Sequence, residues 1–142
     1  MTRIIKLFNQ VQGCQDWEPD PSQSFPMEIV AFLNKNTENQ CTMARLNPGK
    51  ALPLHYHRQG GDIFLVLQGQ GRLTTGRIGN ESEGEQDKAE SLEEQDLETG
   101  DLYSIEPYEI HGIENTGPTD LVWLNIAPAS HGGDDCIELG SN

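Results

Sequence analysis

The 142-residue chain is short of bases, cysteines, aromatics and long apolar runs, and each shortage excludes something. Nine Lys and Arg stand against 23 Asp and Glu, a net charge of -14. There is no basic patch of the kind a phosphate backbone requires, so nucleic acid is not an expected partner. The acids are unevenly spread. Ten of them (Glu81, Glu83, Glu85, Asp87, Glu90, Glu93, Glu94, Asp96, Glu98 and Asp101) fall within residues 80–101 beside one base, Lys88. The rest of the chain, with 13 acids and 8 bases, is only mildly acidic. The three cysteines, Cys14, Cys41 and Cys136, are odd in number, far apart and in no Cys-x-x-Cys pair. That argues against a disulfide framework or a cysteine zinc site, and for a reducing compartment. No apolar run reaches membrane-spanning length, and Met1–Lys6 lacks the sustained hydrophobicity of a secretory leader. A soluble, cytoplasmic protein without membrane partners is expected.

What is present is a succession of short apolar runs punctuated by Gly, Pro and Asn. Arg3–Phe8, Met27–Leu33, Cys41–Leu46, Arg72–Ile78, Asp101–Ile105, His111–Asn115 and Leu121–Ala127 each read as strands. Ile63–Leu67 is apolar on both faces and bounded by glycines, as a buried strand is. Gly69-Gln70-Gly71 turns it into the next strand. Many short strands without a sustained helical period indicate an all-β sandwich or barrel. The length suits one domain, 1–142. Residues 9–26, polar and carrying Pro19, Pro21 and Pro26, are expected to cross the surface or cover a barrel mouth. Residues 79–99, rich in Gly and acids, read as a solvated, flexible loop, since like charges oppose compact packing.

Four histidines occur, and His55 and His57 are one residue apart. Strand alternation sends both to one face and Tyr56 to the other. Gly49-Lys50-Ala51-Leu52-Pro53-Leu54-His55-Tyr56-His57-Arg58-Gln59-Gly60-Gly61-Asp62, continuing to Gly69, resembles the first motif of the cupin superfamily. That motif is Gly, five residues, His-x-His, three or four residues, Glu, six residues, Gly. Asp62 stands where the family usually has Glu. Gly100, His111 and Asn115 resemble the second motif, in which Glu106 replaces a proline and Tyr108 a glycine. The motifs span residues 49–115 and the flanking strands suit the same barrel.

The resemblance implies a double-stranded β-helix, the jelly-roll barrel of cupins. It also implies one divalent metal ion (Fe, Mn, Ni or Zn) held by His55, His57, Asp62 and His111. Neutral imidazoles suit such metals, and one carboxylate offsets charge. Asp62, one methylene shorter than Glu, either binds the metal directly or orients a histidine. His131 lies outside the motifs and reads as a surface residue. Asn115 reads as a turn residue before Thr116-Gly117. Arg45, Tyr103, Tyr108, Trp123 and Asn125 are candidates for the barrel mouth, and Glu106, Tyr103 and Tyr108 for acid–base work. Trp123 and Asn125 share one strand face, with its direction open. The expected function is a metal-dependent enzyme acting on a small organic molecule, as an oxygenase, isomerase or lyase. The alternative is a non-catalytic module that binds a sugar or other small molecule. A homodimer is also expected, because a strand at Arg3–Phe8 would have no partner but a sheet edge.

Overall fold

The computed structural model describes residues 4–21, 25–32, 38–79 and 88–139. Eleven strands are present among them: β1 (Glu18–Pro19), β2 (Met27–Phe32), β3 (Asn39–Leu46), β4 (His55–Tyr56), β5 (Asp62–Gln68), β6 (Gln70–Ile78), β7 (Ala89–Glu98), β8 (Leu102–Ile105), β9 (Glu109–Asn115), β10 (Leu121–Pro128) and β11 (Ile137–Glu138). They form a six-stranded sheet in the order β1-β2-β3-β10-β5-β8 and a five-stranded sheet in the order β11-β4-β9-β6-β7. Every pairing is antiparallel, and the chain repeatedly crosses between sheets, as a double-stranded β-helix requires.

The two inner faces meet in a core of Ala44, Leu46, Val66, Leu73, Leu97, Ile113, Leu121 and Trp123. Strand parity explains the membership. Trp123, Asn125 and Ala127 alternate inward along β10, whereas Val122 and Leu124 face outward. The outward residues pack with Phe32, Met43 and Leu67 into a second cluster on the outer surface of the larger sheet. Ile5, Leu7, Val11, Cys14 and Trp17 cover that cluster.

This cover corrects one expectation. Ile4–Lys6 forms no strand, and Leu7–Gly13 is a helix, α1. Leu7, Val11 and Cys14 recur at helical spacing and so present one apolar stripe to the sheet. The free strand edge on which the homodimer expectation rested is therefore absent from the described residues.

The acidic segment also differs from expectation. Residues 80–87 lie outside the described residues, but Ala89–Glu98 is a ten-residue strand. It pairs with β6 from Ile78↔Ala89 to Gln70↔Glu98. Its acids point to solvent from the outermost strand of the sheet, while Leu97 enters the core. Charge on an edge strand blocks pairing with other chains without weakening the ladder on its inner side.

The turns follow the motif glycines. Gly49, Gly69 and Gly100 all have positive φ, and a Cβ on Gly69 would lie 2.7 Å from the Asp120 carbonyl oxygen. Tyr108 holds φ at +66°, in the left-handed region that favours glycine, although it carries a side chain. Its N–H donates to the His57 carbonyl at 2.7 Å. Asn115 is fully buried and knits a turn, as expected. Its Nδ2 donates to the carbonyls of Leu46 (2.8 Å) and Thr119 (2.9 Å), and its Oδ1 accepts from the Gly117 N–H (2.9 Å).

Candidate metal centre

His55 on β4 and His111 on β9 are directly opposed across the smaller sheet, with ring centroids 4.1 Å apart. His57 follows at the end of β4 on the same face, while Tyr56 points the other way and stacks on Tyr108. Asp62 opens β5 in the opposite sheet. All four side chains are buried, so each polar atom needs an accounted partner.

The Nδ1 atoms have theirs. His55 Nδ1–H donates to the Pro53 carbonyl at 2.8 Å, His111 Nδ1–H to that of Glu109 at 3.0 Å, and His57 Nδ1–H to that of Asp135. A carbonyl only accepts, so each Nδ1 carries the proton and each Nε2 of a neutral ring presents a lone pair. The Nε2 of His111 is buried with no hydrogen-bond partner. Asp62 Oδ2 lies 3.5 Å from His57 Nε2 and 3.7 Å from His111 Nε2. Two atoms each about 2.1 Å from one tetrahedral ion lie about 3.4 Å apart. That spacing suits a cation shared by Asp62 with His57 or with His111 taken singly; ligand atoms that all lie within 4.8 Å of one another belong to His55, His57 and Cys136 and to His57, Asp62 and His131, and His111 is in neither set.

Electrostatics keep the imidazoles available. Burial, and then the charge of the neighbouring His111, push His55 down to about 3. Burial pushes His111 down to about 4 and lowers His57 as well. The rings are thus neutral near pH 7, the state that metals bind.

Two further side chains lie beside these four. His131, expected at the surface, is buried in a 3-10 turn, Ala129–Gly132, that follows β10. Its Nδ1–H donates to Asp62 Oδ1 at 3.0 Å, its Nε2–H donates to the Gln59 carbonyl, and its ring stacks on His57 at 3.9 Å. With a carbonyl at one nitrogen and a carboxylate at the other, both carry protons. Burial opposes that charge, but the bond and attraction to Asp62 outweigh it and raise the His131 pKa. Burial likewise works to raise Asp62, but His131 and the other histidines hold it below the usual carboxylate range. Asp62 is therefore an anchored carboxylate, with Oδ1 bound to His131 and Oδ2 turned to the imidazoles. Cys136, just before β11, is the other addition. Ligand atoms of His55, His57 and Cys136 lie within 4.8 Å of one another, as do those of His57, Asp62 and His131. Neither tail residue had a spacing signal, because both follow the last barrel strand in a Gly- and Asp-rich segment.

The histidines and Asp62 line a cavity of ≈ 390 Å³. Its walls include Phe25, Met27, Ile29, Leu52, Phe64 and Leu73, with Trp123, Asn125 and Tyr103 facing in. Asp20, Pro21 and Phe25 come from the segment expected to cover a barrel mouth; residues 22–24 of it lie outside the described residues. Tyr103 stacks on Phe64 at 4.8 Å, and burial raises its hydroxyl pKa. The other candidates do not join them. Glu106 and Tyr108 line a shallow outer hollow with Tyr56, Arg77 and Glu93. They sit in the turn between β8 and β9, whose exposed face is on the far side of the smaller sheet. Arg45 also points outward. It bonds Glu28 through Nε (3.1 Å) and Nη2 (2.7 Å) and lies 4.5 Å over the Trp17 ring.

Similar folds recur among solved structures. A predicted oxalate decarboxylase from Thermotoga maritima is 26% identical, with 80% of this chain and 81% of that chain covered and a TM-score of 0.55. KdgF from Halomonas sp. is 19% identical over 80% of this chain and 87% of that one, with a TM-score of 0.57. The polyketide cyclase RemF from Streptomyces resistomycificus is 14% identical, spans 100% of this chain and 87% of its own, and has a TM-score of 0.68. Among curated proteins no sequence matches significantly. The family described as the cupin domain matches residues 42–127, more than half the chain and the stretch that carries every motif histidine, so the chain belongs to the cupin family.

Proposed function

We propose that the chain is a metal-dependent cupin enzyme acting on a small organic molecule, with His55, His57, His111 and Asp62 as the metal's ligands. The observation that carries this is the buried, unpartnered Nε2 of His111 beside Asp62 Oδ2 at the wall of a largely apolar cavity. A buried imidazole nitrogen without a partner costs about 1–3 kcal/mol, and a bound cation removes that cost. Fe, Mn, Ni and Zn all suit the donor set. Bound there, the ion would supply Lewis-acid activation of a substrate oxygen or of water.

The chain's own residues do the rest. The three backbone carbonyls aim the Nε2 atoms, and His131 holds Asp62 by Oδ1. Phe25, Met27, Ile29, Phe64 and Trp123 exclude water from the cavity and favour a ligand with apolar surface. Asn125 and the Tyr103 phenol are polar groups on the same walls that can orient it. Tyr103 is the one sequence candidate for proton transfer that faces the cavity. Its raised pKa makes it a neutral hydrogen-bond donor rather than a base.

Support from relatives is at the level of the family: KdgF, the polyketide cyclase and the predicted oxalate decarboxylase share this barrel. The test is a screen of small hydroxylated and carboxylated aromatics and sugar acids, read by oxygen uptake and ultraviolet change. The protein should turn over at least one compound, and chelation or His111→Ala should abolish turnover. Metal-dependent binding without turnover of any compound would instead support a non-catalytic binding module.

A further inference from the structure

We infer that Cys136 is a further metal ligand, a thiolate delivered to the centre by the segment that follows the barrel. The inference rests on the reading of the His55–His57–His111 cluster as a metal centre. Antiparallel pairing of β11 with β4 sets Ile137 opposite Tyr56 and Glu138 opposite His55. Continuing that register places Cys136 opposite His57, and cross-strand partners share a face of the sheet. The Cys136 side chain accordingly lines the same cavity as His55, His57 and His111. Its sulfur and one ring nitrogen each of His55 and His57 all lie within 4.8 Å of one another. An independent feature of the cavity points to a ligand as well, because His111, buried to within 4% of its surface, has no partner for Nε2. The segment is also tied down from both sides. The Asp135 carbonyl accepts from His57 Nδ1, and the Asp135 carboxylate accepts the N–H groups of Arg58 and Gln59, both at 2.8 Å. The Leu139 N–H donates to the Leu54 carbonyl at 3.1 Å. Cys136 is thus held on a braced stretch between two anchor points.

The binding step is balanced by one proton. The sulfur donates a lone pair to the cation, the S–H bond breaks, and the proton leaves to solvent. The three neutral imidazoles and the ionised Asp62 release none. A thiolate also softens the site, favouring Co, Zn and Cu over Mn.

The experiment is titration of the metal-free protein with Co(II) near pH 7.5. The wild type should bind one cobalt and develop a near-ultraviolet sulfur-to-cobalt charge-transfer band along with the visible d–d bands. Cys136→Ser should keep the d–d bands and lose the charge-transfer band, while Cys14→Ser and Cys41→Ser keep both. Calorimetry in buffers of different ionisation enthalpy should show about one more proton released per metal by the wild type than by Cys136→Ser. The preference for Zn(II) over Mn(II) should fall about tenfold or more in that variant. If Cys136→Ser does not fold, the wild-type spectrum still decides. Cobalt bound with d–d bands alone would overturn the ligand role of Cys136 and leave the histidine centre standing. Failure to bind cobalt at all would overturn both.

Discussion

His55 and His111 show how much a single buried imidazole weighs. Both are held neutral by burial, at about 3 and about 4, whereas in the unfolded chain they titrate at the ordinary histidine value. Below pH 6.5 the unfolded chain therefore binds more protons than the folded one, and stability falls as pH drops. Each histidine contributes a slope of about 1.4 kcal/mol per pH unit between 6.5 and its folded pKa. His131, with its raised pKa, acts above pH 6.5, and Asp62 acts below its ordinary carboxylate value, so neither blurs this window. Urea unfolding of the metal-free protein should show a loss of a few kcal/mol from pH 6.5 to 4.5. A flat profile would contradict the burial of neutral imidazoles. Asp62 and His131 differ in a second way. Asp62→Ala removes a donor that faces two imidazoles, while His131→Asn removes only its anchor. Metal titration should find affinity reduced about 10–100-fold in His131→Asn and more than that in Asp62→Ala. Equal losses would mean that Asp62 acts only by orienting a histidine.

β7 shows what a charge run does once one apolar residue is placed among the acids. Leu97 is 7% exposed and packs with Val66, Leu73 and Leu121, whereas its neighbours Asp96 and Glu98 face solvent. Leu97→Ala should cost about 2–4 kcal/mol in denaturant unfolding, the value for a buried leucine. A change below about 0.5 kcal/mol would mean the strand is not docked. This is also where the sequence is hardest to read. Composition dominates a window of ten acids, and the period-two signal of a solvent-facing edge strand rests on Leu97 and little else. The helix α1 was hidden for the opposite reason. Ile4, Ile5 and Phe8 have strand-like propensity, and only the outer surface of the larger sheet selects the helical stripe of Leu7, Val11 and Cys14. By contrast, Ile63–Leu67, Arg72–Ile78 and Leu121–Ala127 were legible, because glycine turns bound the first two and periodic burial fills all three.

At the scale of the whole molecule, two sheets bring together residues 55, 62, 111, 131 and 136, which no local pattern connects. The motif spacing singled out His55, His57, Asp62 and His111, and the barrel buries all four, since the spacing reflects the strand and turn lengths that close it. His131 and Cys136 stayed hidden because their approach depends on how the segment after β10 folds back onto β4. No helix among the described residues is long and apolar enough to cross a membrane. The claim on which the rest depends is that the barrel is built around a cation. It is tested most directly by elemental analysis of protein expressed in metal-supplemented medium and purified near pH 7.5. The wild type should hold about one divalent transition metal per chain, and His55→Ala/His57→Ala/His111→Ala should hold essentially none. A folded wild type without stoichiometric metal, or a triple variant that retains it, would contradict the account.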